Sequence, residues 1–139
     1  MSASRPVPVP DAVSAPYWAA AAEHVLTVAR CARCGQASMP PEVVCPHCRS
    51  TDPQFTFAPV SGRGIIRSWT VVRQAFLPGF DADVPFVLVD VELDEQPGLR
   101  MIGRLRDGVD ARLQLSAAVV GDFEDLAEGI AIPAFVLAP

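Results

Sequence analysis

The sequence predicts a mainly β chain, and three observations carry that reading. Four cysteines stand as two C-x2-C pairs separated by ten residues. From Gln54 onward, short runs of residues alternate between apolar and polar, the period of a strand with one buried face. Turn dipeptides punctuate those runs at close intervals. The length, 139 residues, suits a small module joined to one compact domain.

The elements follow in order. Residues 1–13 read as a flexible arm, because Pro6, Pro8 and Pro10 alternate with small apolar residues and favour extended backbone. Residues 14–24 read as a short helix and its exit. Ser14 is placed to cap it, Pro16 fits its first turn, and four alanines follow Trp18. Tyr17 and Trp18 are large side chains on a helix too short to be stable alone. They must pack on the rest of the chain or on a partner. Val25–Ala29 alternates and leads as a strand into Cys31. The ribbon occupies residues 25–53, with Thr51–Pro53 as its linker. In residues 54–139 the expected strands are Phe55–Pro59, Gly64–Arg73, Phe86–Leu93, Leu99–Arg106, Ala111–Val120 and Ala134–Leu137. Ser61-Gly62, Pro78-Gly79, Pro97-Gly98, Asp107-Gly108 and Gly121-Asp122 mark the turns between them. Strands this short and this closely spaced suggest a small barrel or sandwich.

The cysteine pairs read Cys31-Ala-Arg-Cys34-Gly35 and Cys45-Pro-His-Cys48-Arg49. Each pair can form a tight turn whose amides point at its sulfurs, and two facing turns present four thiolates at tetrahedral corners. Gly35 stands where such a turn often needs positive φ. Zn²⁺, a rubredoxin-like iron site and a disulfide pair are the candidates, and the ligand type favours zinc. With Cys31, Cys34, Cys45 and Cys48 all ligating, no position is left for water or substrate, so the expected metal is structural. His47, inside the second pair, is expected to be a solvent-facing loop residue.

Composition narrows the function. Half the residues are hydrophobic and 19% are charged, so a wholly disordered chain is excluded. The net charge is −5, and every basic residue is an arginine. A tetrathiolate zinc site would take that to about −7. Such an acidic chain is poorly suited to non-specific nucleic-acid binding. No run of about 20 apolar residues is present, as a membrane-spanning helix would need. Met1–Ala15 lacks the basic-then-apolar pattern of a secretory signal. The expected location is therefore the cytoplasm, where paired cysteines more often hold metal than form disulfides.

A catalytic constellation is not evident. The two histidines, His24 and His47, both lie in or beside the ribbon. Ser61, Ser68 and Ser116 have no nucleophile-elbow context. Asp90, Glu92 and Asp94 alternate with apolar residues, as on a half-exposed strand. Gly62-Arg63-Gly64 lacks the lysine and helix of a phosphate loop. Arginines are the more suggestive residues: Arg67 with Arg73, and Arg104 with Arg106, share strand faces. Arg67 and Arg104 are the candidates for phosphate groups, against the plainer reading of a solvated face paired with acids. The loop Gln74–Val84 carries Phe76, Leu77 and Phe80, which suits a partner surface or a lid on the chain's own core.

Taken together the chain resembles the bacterial and archaeal family of zinc-ribbon plus OB-fold proteins linked to acyl-CoA metabolism. The resemblance runs from Pro16 to Phe135. It rests on Tyr17-Trp18, the two cysteine pairs, Pro40-Pro41 and Ser61-Gly62-Arg63-Gly64. It continues through Ser68-Trp69-Thr70-Val71-Val72, Val84-Pro85-Phe86, Val91-Glu92-Leu93-Asp94-Glu95 and Ile132-Pro133-Ala134-Phe135. It implies a short N-terminal helix, a rubredoxin-like zinc ribbon and a C-terminal OB-fold barrel. It also implies a hetero-oligomer in which this chain is the partner subunit of a thiolase-like enzyme that carries the catalytic residues. The chemistry would be carbon–carbon bond cleavage or formation on an acyl-CoA, as in a retro-aldol or thiolytic step of steroid, aromatic or fatty-acyl degradation. Tyr17, Trp18, Phe76 and Phe80 are then the expected partner contacts, and Arg67 and Arg104 the expected CoA-phosphate contacts. No catalytic residue is expected in this chain. A stand-alone acyl-CoA-binding protein and an OB-fold single-strand nucleic-acid binder are the alternatives. Two positions depart from the family pattern: His24 where glycine is usual, and the missing glycine near Leu113-Gln114.

Overall fold

The computed structural model describes residues 4–139. Helix α1 spans Ala15–Ala22. The strands are β1 Thr27–Arg30, β2 Ala37–Ser38, β3 Thr56–Pro59, β4 Gly64–Val72, β5 Phe86–Leu93, β6 Arg100–Leu105, β7 Ala118–Ala127 and β8 Ile130–Leu137. They form a three-stranded sheet in the order β2-β1-β3 and a closed barrel in the order β4-β5-β6-β8-β7. Neighbours in the barrel are antiparallel except β6 and β8, which run parallel through Arg104↔Ala134 and Leu105↔Phe135. A five-stranded, closed Greek-key barrel of this kind is the OB arrangement.

Alternation explains the barrel interior. Val87, Val89, Val91 and Leu93 of β5 face inward and are fully buried, while Phe86, Leu88, Asp90 and Glu92 face out. Phe135 of β8 fills the centre, and the space it needs is left by Gly103, whose Cβ would fall 2.9 Å from the Phe135 ring. The core is continuous across both sheets: Tyr17, Leu26, Val28 and Ala37 join Leu99, Met101 and Leu105 in one cluster.

Several expectations need correction. Ala111–Val120 is not a strand: residues 111–117 are loop, and β7 begins at Ala118. Gly121-Asp122 is not a turn but lies inside β7. Gly121 is there for close approach, since its Cβ would sit 3.1 Å from Gly62 Cα. The actual turn is Glu128-Gly129, with Gly129 at φ 72°. The strand expected at Ala134–Leu137 starts earlier, at Ile130. The strand expected to open the barrel domain, Phe55–Pro59, is found as β3, which pairs with β1 and completes the ribbon sheet.

Ser14 does not cap α1 with its side chain. Asp11 instead orders the turn that leads into the helix: its Oδ1 accepts hydrogen bonds from Val13 N (3.0 Å), Ser14 N (2.7 Å) and Ser14 Oγ (2.8 Å). The described part of the expected flexible arm, residues 4–13, makes contacts with the barrel domain. Arg5 lies within ion-pair range of Asp83 and Glu124. Met1–Ala3 lie outside the described residues. His24, by contrast, fills the place of the usual glycine at φ 59°. Its Nε2 pairs with Asp125 Oδ1 at 2.7 Å, and its ring stacks on Phe123 with centroids 5.1 Å apart.

Candidate metal centre and outer cavity

The two cysteine pairs form matching turns. Gly35 N donates to Cys31 O at 2.9 Å, and Arg49 N donates to Cys45 O at 2.9 Å. Gly35 (φ 76°) and Arg49 (φ 65°) occupy equivalent left-handed positions just after the second cysteine of each pair. The geometry thus repeats, although only one turn uses glycine. Each turn is closed by a further bond: Cys31 N to Gln36 O at 2.9 Å, and Cys45 N to Ser50 O at 3.1 Å. Arg33 N also approaches Cys31 Sγ at 3.3 Å, an amide directed at sulfur as a thiolate requires.

The four Sγ atoms lie within 4.8 Å of one another. Cys31 and Cys48 are 3.8 Å apart, and Cys34 and Cys45 are 3.7 Å apart. Tetrahedral Zn²⁺ with Zn–S bonds of about 2.3 Å would hold its sulfurs about 3.8 Å apart. The donor set therefore fits a tetrathiolate metal, and all four cysteines are free of disulfides. The thiols are not equivalent before a cation arrives. The backbone amides of Cys48 and His47 pull Cys45 down to about 6, with Cys48 the larger influence and burial opposing. At Cys34 the Gln36 amide also favours the thiolate. Burial and the three neighbouring sulfurs together outweigh it and push this thiol up to about 11. Four crowded sulfurs cannot all ionise without a compensating cation. His47 stays outside the cluster; its Nε2 lies 3.0 Å from Ala37 O.

Gln96, in the β5–β6 turn, ties the ribbon to the barrel. It accepts from Ala37 N at 2.9 Å through Oε1 and donates to Ala37 O at 2.9 Å through Nε2. This pair of hydrogen bonds covers the free edge of β2, whose Ala37 carbonyl His47 also approaches. No sequence pattern announced it.

On the outer face of β5, β6 and β8 lies a cavity of about 680 Å³, within the range of ligand pockets. Trp18, Met39, Leu88, Ile102, Ile132 and Pro133 give it an apolar lining, and Arg5, Phe80, Arg100, Arg104 and Glu124 surround it. Among the expected site residues, Tyr17, Trp18, Phe80 and Arg104 meet here. Tyr17 was expected at a partner surface but is buried in the chain's own core, in edge contact with Trp18 at 4.9 Å. Burial pushes its hydroxyl up to about 12, so it stays neutral.

Arg104 lies 3.4 Å from Asp83, 3.7 Å from Glu124 and over the Phe86 ring at 5.0 Å. Arg67 is exposed on β4 and lies outside this cavity, so the two expected phosphate contacts are not brought together there. Phe76 projects from the β4–β5 loop at 83% exposure, with Leu77 beside it at 57%. The acids of β5 are structural: Asp90 pairs with Arg100, and Glu92 accepts from Gly98 N at 2.7 Å.

Four facing thiols on paired turns and a closed OB barrel define the class, a zinc-ribbon fold joined to an OB-fold domain. Residues 18–54 match the ChsH2 rubredoxin-like zinc ribbon domain, and residues 58–124 match the ChsH2 C-terminal OB-fold domain. The chain belongs to this family.

Its relatives are consistent with that assignment. It is 30% identical over 133 residues to a protein of Thermomonospora curvata named as a probable enoyl-CoA hydratase alpha subunit, covering 96% of this chain and 40% of that one. It is 32% identical over 82 residues to a DUF35 domain-containing scaffold protein of Methanothermobacter thermautotrophicus, covering 59% of each. The chain thus spans 40% and 59% of these two relatives. Among solved structures it resembles a chain of the Ltp2-ChsH2(DUF35) aldolase, with a TM-score of 0.78 and 28% identity over 94% of this chain and 98% of that one. It shares its fold with a DUF35-family protein of unknown function from Sulfolobus solfataricus, with a TM-score of 0.57 and 9% identity over 91% of this chain and 86% of that one. Among the described residues no helix is long and apolar enough to cross a membrane.

Proposed function

We propose that this chain is a non-catalytic accessory subunit of a thiolase-like acyl-CoA enzyme, working in the cytoplasm as part of a hetero-oligomer. Its barrel and its apolar β4–β5 loop complete or cover the acyl pocket of the catalytic subunit. Covering that pocket excludes water and shapes which acyl group is accepted. The metal is a structural Zn²⁺ held by Cys31, Cys34, Cys45 and Cys48, which stabilises the ribbon and takes no part in the reaction.

The observation that carries this reading is the lining of the outer cavity. Among the described residues it contains no histidine, cysteine or serine, and its carboxylates, Asp90 and Glu124, both lie in ion-pair range of arginines. No nucleophile stands beside a base there, as group transfer would require. The likeness along nearly the whole chain to a component of an aldolase complex supports the same conclusion. The purified chain should be silent in thioester-cleavage and retro-aldol assays and should confer activity only when combined with a thiolase-fold subunit. Turnover by the chain alone would overturn the proposal.

A second reading is a stand-alone acyl-CoA-binding protein, favoured by the size and apolar lining of the cavity with Arg104 at its edge. Calorimetry of the isolated chain with CoA and acyl-CoA separates the two. Micromolar binding without a partner selects the carrier, and its absence selects the subunit.

A further inference from the structure

We infer that Arg5 is a latch: it fastens the N-terminal arm to the β4–β5 loop and holds that loop in the form that presents Phe76 and Leu77 to the partner subunit. The presentation to a partner rests on the accessory-subunit reading; the latch itself does not.

The Arg5 guanidinium lies 3.5 Å from Asp83 in the loop and 3.7 Å from Glu124 on β7, and 5.5 Å over the ring of Phe80. A single side chain from the arm therefore touches the loop twice and the barrel once. The backbone contributes too. A Cβ on Gly79 would come 2.4 Å from Arg5 N, so the arm meets the loop at a point where only glycine leaves room. Arg104 completes the arrangement from the other side. It approaches the same two carboxylates and lies over Phe86, which packs on Phe80 with centroids 6.0 Å apart.

Glu124 gives the seat its driving force. Its Oε2 is buried with no hydrogen-bond partner among the described residues. Among the described residues its charge is compensated through the two guanidiniums, so removing Arg5 leaves one of these cations for two acids. The turn that the latch holds is short: Asp83 N and Val84 N both donate to Phe80 O, at 2.9 and 3.2 Å. Without the latch, little besides Arg104 and the Phe80–Phe86 contact holds this turn to the barrel. The tip it supports carries two exposed apolar side chains beside Pro78, which suits an apolar cleft on the catalytic subunit.

Amide exchange on the full, metal-loaded chain tests the latch without any partner. In Arg5→Ala the Asp83 and Val84 amides should exchange about tenfold faster, with β5 amides unchanged. Arg5→Lys, which keeps the charge but not the planar face over Phe80, should fall between the two. Raising the salt should speed the same amides in the wild-type chain, because the seat is partly exposed. Unchanged exchange in Arg5→Ala overturns the latch whatever any partner does. Where a thiolase-fold subunit binds the wild-type chain, Arg5→Ala and Phe76→Ala should both weaken that complex. A loosened loop with undiminished affinity overturns the docking role. Failure of the wild-type chain to bind any such subunit counts against the accessory-subunit reading, and the exchange result still decides the latch.

Discussion

Val87, Val89, Val91 and Phe135 are fully shielded inside the barrel, whereas the lobe from Cys31 to Cys48 buries only Cys31, Ala37, Ser38 and Cys45. Val43 and Val44 in that lobe face solvent at 68% and 42% exposure. The barrel is thus held by close-packed apolar side chains, each excluded from water. The lobe buries too little apolar surface to offset its backbone entropy. It relies instead on four thiols aimed at one point. One short chain thus joins two kinds of folding unit, one specified by alternation and one by ligand spacing. The two should fail under different insults.

The largest separation comes from metal removal. Structural zinc contributes an apparent ~10–16 kcal/mol in small zinc modules, so chelation should abolish the fixed side-chain signals of residues 31–48 by NMR while the barrel signals persist. A lobe that stays ordered without metal would erase the contrast. The converse insult is Phe135→Ala, which empties the centre of the barrel and should cost about 3–5 kcal/mol in denaturant titration. Metal content per folded molecule should not change. Next comes Gly121→Ala, which forces a methyl against Gly62 Cα at 3.1 Å. It should lower stability by about 1–3 kcal/mol, whereas alanine at Gly108 meets no atom within 4 Å and acts only through its φ of 89°.

Gln96→Ala tests the seam between the units. Losing both amide bonds to Ala37 should cost about 1 kcal/mol and should split a single melting transition into two. The smallest effect concerns α1. The Ser14 backbone amide, with help from the Ser14 hydroxyl, holds the Asp11 carboxyl below its ordinary value of 3.8. A depressed carboxyl contributes stability above that ordinary value and loses it as pH falls through the lowered one. Acidification below about pH 4 should therefore loosen the helix start, seen as faster exchange at Val13 and Ser14, and Asp11→Asn should remove that pH dependence.

How much of this the residues disclosed depends on how local each signal is. Ligand spacing is local, so Cys31, Cys34, Cys45 and Cys48 were readable as one centre. Strict alternation made β4, β5 and β6 readable to within a few residues. β7 was not, because Gly121-Asp122 has the composition of a turn while Gly121 serves a contact with Gly62, distant in sequence. The hairpin turn Glu128-Gly129, between Ala127 and Ile130, was the available signal. Ser14 has the chemistry of a cap, yet its hydroxyl is engaged by Asp11 three residues earlier: it accepts from Asp11 N at 3.1 Å and donates to Asp11 Oδ1 at 2.8 Å. The cavity and the Arg5 seat were out of reach, since they are assembled from the arm, α1, the β4–β5 loop and four strands that meet only after folding.

The way the chain passes from one unit to the next has a mechanical result. β3 is the last strand of the ribbon sheet, and three residues beyond it Gly62 is wedged against Gly121 before β4 begins. No slack remains at that joint. A protein that grips the cysteine lobe also dictates the orientation of the barrel, so a handle at one end steers the whole body.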